Sequence, residues 1–261
     1  MTTVEAFAPA KINLTLHVTG QRADGYHLLD SLVVFADVGD RLWLTPGDVM
    51  QLDVTGPFAD GVPVDGRNLV WKAAEAAGWR GAIRLEKNLP HGAGIGGGSA
   101  DAAAVLRAVE RPDLAAGLGA DVPVCLRSCP QRMQGIGESL TELRDVPALS
   151  LVLVNPGVAL ETASVFAALE QKDHAPMAEM PDRDFPHWLR DQRNDLEAPA
   201  IRIAPEIGEV LASLSDARLA RMTGSGSTCF GVYDSAAEAE AAAERLSHAH
   251  PEWWVRATRT L

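Results

Sequence analysis

Ile12, Leu14, Leu16 and Val18 alternate with Lys11, Asn13, Thr15 and His17. That period of two predicts a strand with one apolar and one polar face. Asp24-Gly25 is a turn signal. Residues 26–35 read as extended, Gly39-Asp40 as a second turn, and 41–45 and 50–54 as strands, so the chain opens β-rich and antiparallel. Asn68 suits the N-cap of a helix running to Ala77. Residues 82–87 predict a short strand, and an alanine-rich helix follows over 99–110, stopped by Pro112. Strand segments fall around 131–143. The unbroken apolar run at 149–154 predicts a buried strand. Beyond it come a helix at 162–170, a loop rich in proline and charge at 171–186, and helices around 188–197 and 205–214. A strand at 219–222, a glycine loop, a strand at 229–233, a helix opened by the capping-box spacing Ser235…Glu238, and a strand at 253–258 complete the chain. The pattern predicts a seam near Pro147, dividing 1–147 from 148–261.

Charge narrows the partners. Lys+Arg total 23 against Asp+Glu 35, a formal net charge of -12 over 261 residues. Such a chain is a poor match for nucleic acid or an anionic membrane. Any phosphate it binds must be held locally, by backbone amides, a few cations and a metal. No apolar run approaches the roughly 20 residues of a membrane helix, and Met1-Thr2-Thr3-Val4-Glu5 lacks the pattern of a signal peptide. Cys125, Cys129 and Cys229 are too few and too unevenly spaced for a disulfide framework or a zinc site. The cytoplasm is the expected compartment. His248 and His250, two apart on a helix, point to different sides and predict no metal site.

The candidate chemistry lies in Pro90, Gly92, Ala93, Gly94, Ile95, Gly96, Gly97, Gly98 and Ser99, which run directly into the alanine-rich helix. Glycine admits left-handed turns and close approach to backbone amides. The first turn of a helix offers unpaired N–H groups at the positive end of its dipole, a cradle for phosphate. No lysine follows the glycines, which excludes the lysine-terminated phosphate loop. Gly92, Gly94 and Gly97 satisfy the dinucleotide string, but no strand follows at the distance that fingerprint needs. A second cluster, Thr223-Gly224-Ser225-Gly226-Ser227-Thr228, reads alone as a tight hairpin.

Five blocks stand in order: Pro9-Ala10-Lys11-Ile12-Asn13-Leu14, Gly20-Gln21-Arg22-Ala23-Asp24-Gly25-Tyr26-His27, the 92–99 loop, Gly119-Ala120-Asp121-Val122-Pro123, and Gly224-Ser225-Gly226. Together they resemble the GHMP small-molecule kinases over nearly the full chain. The resemblance implies a two-domain α+β enzyme, with an N-terminal domain like the second domain of ribosomal protein S5 and a ferredoxin-like C-terminal domain. The Asp-Gly-Tyr-His block narrows the implied reaction. By that resemblance, the expected reaction is phosphorylation by ATP of the 2-hydroxyl of 4-diphosphocytidyl-2-C-methylerythritol, in the non-mevalonate route to isoprenoid precursors. A sister kinase acting on mevalonate or homoserine, and a silent nucleotide-binding module, are the alternatives.

By the resemblance, Asp121 accepts the proton of the attacking hydroxyl. Lys11 keeps Asp121 ionised and stabilises the transferred phosphoryl, although a lysine in a strand otherwise marks a solvated face. Asn13 touches substrate or orients Lys11. Tyr26 stacks on the cytosine, His27 bonds its edge, and Thr162 with Phe166 completes the cytidine site; core packing is the other reading of Phe166. Pro90 to Ser99 bind ATP. Ser99 either caps the helix or ligates Mg²⁺. Asp101 reads as a helix-start acid, and Asn68 as a cap or a wall of the adenine pocket. The implied ligands are ATP, Mg²⁺ and the small-molecule substrate, on a monomer or homodimer. The connection at 111–118 is shorter than is usual in the family.

Overall fold

The computed structural model describes residues 2–261. The first alternating segment forms two strands, β1 (Val4–Asn13) and β2 (His17–Gln21), not one. Lys11, Asn13, Thr15 and His17 are as buried as the apolar residues between them. Alternation separated the two faces correctly, but the polar face is covered rather than solvated.

β3 (His27–Pro46) runs straight through Gly39-Asp40, so the turn expected there does not form. Both residues answer to packing instead. A Cβ on Gly39 would come within 2.8 Å of the Pro9 backbone. Asp40 is fully buried and accepts hydrogen bonds from the N–H groups of Asn88 and Leu89 at 2.5 and 2.9 Å. β4 (Gln51–Thr55), α1 (Leu69–Ala76) and β5 (Gly81–Glu86) follow. β4 pairs parallel to β5, which corrects the all-antiparallel expectation for this pair. Next come α2 (Gly97–Ala108), a 3₁₀ turn (Pro112–Gly117) in the shortened connection, and α3 (Val122–Cys125).

The remaining elements are β6 (Gln131–Gly135), β7 (Ser139–Glu142), β8 (Ser150–Asn155), α4 (Thr162–Ala167), α5 (Phe185–Asp191), α6 (Glu197–Ile203), α7 (Glu206–Ser213), β9 (Leu219–Met222), β10 (Cys229–Tyr233), α8 (Ala236–Ala249) and β11 (Trp254–Arg259). The helix expected around 188–197 is interrupted: α5 ends at Asp191 and α6 starts at Glu197. Asn194 occupies the break, and its Oδ1 accepts from the Leu196 N–H at 2.9 Å.

The chain forms two compact units, interleaved along the sequence. One comprises residues up to Lys11, 38–91 and 96–128; the other comprises 12–37, 92–95 and 129–261. In the first, β5 lies between β4 and the second half of β3. α1 packs on α2. Ala100, Ala102, Ala103 and Ala104 are fully buried, because small side chains let α2 sit close to its neighbours. In the second, the first half of β3 pairs with β2 and β6, and β6 with β7. A separate antiparallel sheet runs in the order β11-β8-β10-β9. β8 is interior to that sheet, and Val152 and Val154 join Val165, Leu196, Ile207 and Val210 in its core. That placement is what an unbroken apolar run requires.

Residues 171–184 have no helix or strand, as the prolines predict, yet the segment is pinned. The Met177 N–H donates to Asp30 Oδ2 at 3.1 Å, and its carbonyl accepts from Arg132 at 3.0 Å. Arg132 grips Asp30 in turn with two bonds, at 2.9 and 2.8 Å.

Candidate active site

Lys11 ends the part of β1 that belongs to the first unit. Its ammonium donates to Asp121 Oδ2 at 2.7 Å. The lysine side chain is 5% exposed and the aspartate 40%, so the carboxylate is the open member. Asp121 directly precedes α3, but its side chain makes no capping hydrogen bond. The carboxylate instead accepts from Lys11. Gly96 has φ 65°, and a Cβ there would lie 3.1 Å from the Lys11 Cβ. The end of the glycine loop thus runs along the lysine stem.

α2 begins at Gly97, two residues earlier than expected, after an N-cap glycine with no side-chain cap. Ser99 is therefore inside the first turn and is not the cap. The N–H groups of that turn have no acceptor within the helix. Asn68 does cap: its Oδ1 accepts from Val70 N–H at 2.9 Å, while its Nδ2 donates to the Pro63 carbonyl at 2.7 Å. The capping role is thus realised.

One buried cluster escaped the sequence reading. The Lys87 ammonium donates to Asp40 and, at 2.7 Å, to Asp101 Oδ2. All three side chains are enclosed. Asp101 is thus no solvent-facing helix-start acid. Burial pushes its carboxyl up to about 8, with Asp40 adding to the rise and Lys87 opposing it. For Lys87, burial acts downward, but the two carboxylates outweigh it and raise the ammonium. Because Asp40 also accepts from the backbone of Asn88 and Leu89, the cluster ties the entry of the glycine loop to α2. The signal was present: a single carboxylate in an otherwise alanine-lined helix needs a buried cation.

In the second unit, Asn13 is buried. Its Nδ2 donates to Ser31 Oγ at 2.7 Å, its backbone N–H donates to Thr223 Oγ1 at 2.8 Å, and its Oδ1 has no partner. Gly92–Ile95 pack backbone to backbone on the second glycine cluster. A Cβ on Gly94 would meet the carbonyl oxygens of Thr223 and Gly226 at 2.7 Å, and Thr228 N–H donates to the Ala93 carbonyl at 3.2 Å. The 223–228 cluster does join β9 to β10, as its hairpin reading has it, and it is also this partner. Asn194 holds the cluster from behind through bonds to the Met222 and Gly224 carbonyls at 2.7 and 2.9 Å.

Tyr26 is 62% exposed, held by its backbone in the turn closed by Arg22 N–H to the Tyr26 carbonyl at 2.7 Å. His27 stacks on Phe166 with centroids 4.8 Å apart and planes at 23°. The two rings are already in contact, which leaves no gap between them for a third ring. His27 Nε2 is buried without a partner. Burial, then the charge of Lys172, lowers the pKa of His27 and keeps the imidazole neutral. Thr162 Oγ1 lies 2.9 Å from Ser225 Oγ. Phe166 also packs against the apolar core, as its core reading has it.

After α2 the chain makes a 3₁₀ turn and α3 before β6, and β6 pairs antiparallel to β3. That order removes the dinucleotide reading of Gly92, Gly94 and Gly97. Among the described residues no helix is long and apolar enough to cross a membrane.

The family model for the GHMP kinases N terminal domain matches residues 68–126, and the model described as GHMP kinases C terminal matches residues 165–252. A protein of Dinoroseobacter shibae named 4-diphosphocytidyl-2-C-methyl-D-erythritol kinase is 58% identical over 270 residues, covering 98% of this chain and 94% of the relative. One of the same name from Paracoccus denitrificans is 56% identical, covering 96% of this chain and 94% of the relative. A crystal structure of a 4-(cytidine 5'-diphospho)-2C-methyl-D-erythritol kinase superposes with a TM-score of 0.80 at 36% identity, over 99% of this chain and 100% of that one. Paired with a lysine–aspartate couple beside a glycine-started helix, these matches establish that the chain belongs to the GHMP kinase family, on the branch of the relatives just named.

Proposed function

We propose that this kinase transfers the terminal phosphoryl group of ATP to the 2-hydroxyl of 4-diphosphocytidyl-2-C-methyl-D-erythritol. One observation carries the reading: the Lys11–Asp121 pair at 2.7 Å, in a chain whose end-to-end relatives are named for that substrate. Asp121 accepts the hydroxyl proton as the oxygen attacks, and its partial exposure suits a group that must meet substrate. Lys11 orients that carboxylate through a charge-assisted bond and offers its remaining N–H bonds to negative charge on the phosphoryl group. Pro90 to Ser99 form the ATP loop, with the unpaired amides at the start of α2 bonding phosphate oxygens.

The donor set suits Mg²⁺. Among the described residues no three His, Cys, Asp or Glu side chains group into a cage for an ion. On a nucleotide, Mg²⁺ takes most of its shell from phosphate and water, with one or two protein oxygens. Ser99, whose hydroxyl is not the helix cap, is the residue to supply one. The ion when bound neutralises phosphate charge. For the nucleoside, neutral His27 bonds the cytosine edge through its unpartnered Nε2, and Tyr26 and Phe166 give stacking faces. Thr162 and Asn13 add polar contacts. The acidic chain suits a cytoplasmic enzyme of small molecules, monomeric or dimeric, without a nucleic-acid partner.

The test is an ADP-release assay with Mg²⁺ and three acceptors: the methylerythritol cytidine diphosphate, mevalonate and homoserine. Turnover with the first alone is expected. Turnover with another acceptor would reassign the substrate, and none with any would leave a nucleotide-binding module.

A further inference from the structure

Lys172 lies between α4 and α5, in the same compact unit as His27. Its ammonium is 3.4 Å from Gln21 Oε1. Gln21 is the cross-strand neighbour of His27 in the β2–β3 ladder. The lysine is therefore one side chain away from the imidazole, and its charge adds to burial in keeping that ring neutral. Lys172 is half-buried, and among the described residues no carboxylate forms an ion pair with it.

The backbone under this lysine is fixed. Two residues on, the His174 N–H donates to the Val18 carbonyl at 3.0 Å. The Ala175 carbonyl accepts from Arg193 Nη2 at 2.6 Å, and buried Met177 is tied to Asp30 and Arg132. A loop carrying such anchors presents its side chains from a defined place.

The Lys172–Gln21 contact is solvent-exposed, and an ammonium with no carboxylate partner is open to pairing with an anion. A phosphate arriving with a ligand would supply that anion. The ligand assigned above to His27 and Phe166 is a nucleoside carrying two phosphates. Resting on that reading, we propose that Lys172 binds the diphosphate of the cytidine diphosphate substrate and so selects the diphosphate over the bare nucleoside. Lysine acts here as a compact point charge, suited to a phosphate chain without a fixed bidentate geometry.

Calorimetric titration of the full chain with CDP, CMP and cytidine tests this, using wild type, Lys172→Gln and Lys172→Arg. Wild type should bind CDP more tightly than cytidine. Lys172→Gln should weaken CDP by roughly 10- to 100-fold, the span of a lost charge-assisted bond, and leave cytidine unchanged. Lys172→Arg should keep most of the CDP affinity. In turnover, Lys172→Gln should raise KM for the cytidine diphosphate substrate with little change in kcat. Equal weakening of CDP and cytidine would put the contact on base or ribose and overturn the proposal, as would an unchanged CDP affinity. Wild type that binds none of the three ligands would overturn the cytidine reading itself, a result separable from both.

Discussion

Asp101 Oδ2 lies 2.7 Å from the Lys87 ammonium, and both side chains are almost wholly enclosed. One cation there serves two carboxylates, because Asp40 is bound to the same ammonium. Asp101 is the member left with an unpartnered oxygen, and burial raises its carboxyl from 3.8 to about 8. A carboxyl that holds its proton more tightly in the folded chain favours folding at low pH. That contribution fades as pH climbs from the unfolded value through the folded one. Asp101→Asn fixes the neutral form, so it should flatten the fall in stability between about pH 4 and pH 8. Denaturant titrations at several pH values measure this, and an unchanged slope would show that Asp101 does not carry it. Lys87→Met strands two buried carboxylates and should destabilise by about 3–5 kcal/mol.

Asp121→Asn should lower turnover by roughly 10²- to 10⁴-fold, the usual share of a general base, with nucleotide binding retained. Lys11→Met should lose turnover as well. The double variant should be little worse than either single one, because the two groups act as a unit. ADP release and a nucleotide titration, run on the same preparations, separate the effects. Full turnover in Asp121→Asn would show that this carboxylate is not the base.

Gly92 and Gly94 both have positive φ, at 57° and 71°, yet their surroundings differ. A Cβ at Gly92 meets nothing within 4 Å, whereas one at Gly94 meets two backbone carbonyls at 2.7 Å. Gly92→Ala should cost about 1–2 kcal/mol, the strain of a left-handed alanine. Gly94→Ala should cost clearly more, since the 223–228 loop must move. Thermal or chemical unfolding of the pair decides it, and equal costs would mean that the close packing of the two loops does not matter.

Arg132 holds Asp30 bidentately, and Asp30 is 1% exposed. Arg132→Ala leaves that carboxylate buried and unpaired, and should destabilise by about 3 kcal/mol or more. Because Asp30 also receives the Met177 N–H, the 171–184 segment should become the first site of limited proteolysis. A protease-resistant segment in Arg132→Ala would separate the ion pair from the anchoring.

Much of the architecture was legible. The apolar run that became β8, the Asn68 and Ser235 caps, and the β9–β10 hairpin each follow from a local window of sequence, because capping and side-chain alternation act over a few residues. Gly39-Asp40 misled for the same reason. The pair has turn chemistry, and what overrides it is a close approach to Pro9 and bonds to Asn88 and Leu89. Asp101 in its alanine-lined helix calls for a cation, but nothing in the local sequence says that Lys87 supplies it or that Asp40 shares it.

Local pattern alone determined that the chain is a mixed α and β protein with a glycine loop opening a helix, and which residue types stood ready for phosphate chemistry. Tertiary structure alone decided that Lys11 meets Asp121, 110 positions away, that the polar face of β1 is enclosed, that His27 rests on Phe166, and that the two compact units interleave. The physical reason is one of range. Capping and alternation are energies between near neighbours, whereas burial and ion pairing depend on which distant segments share a space, and no short window of the chain contains both partners.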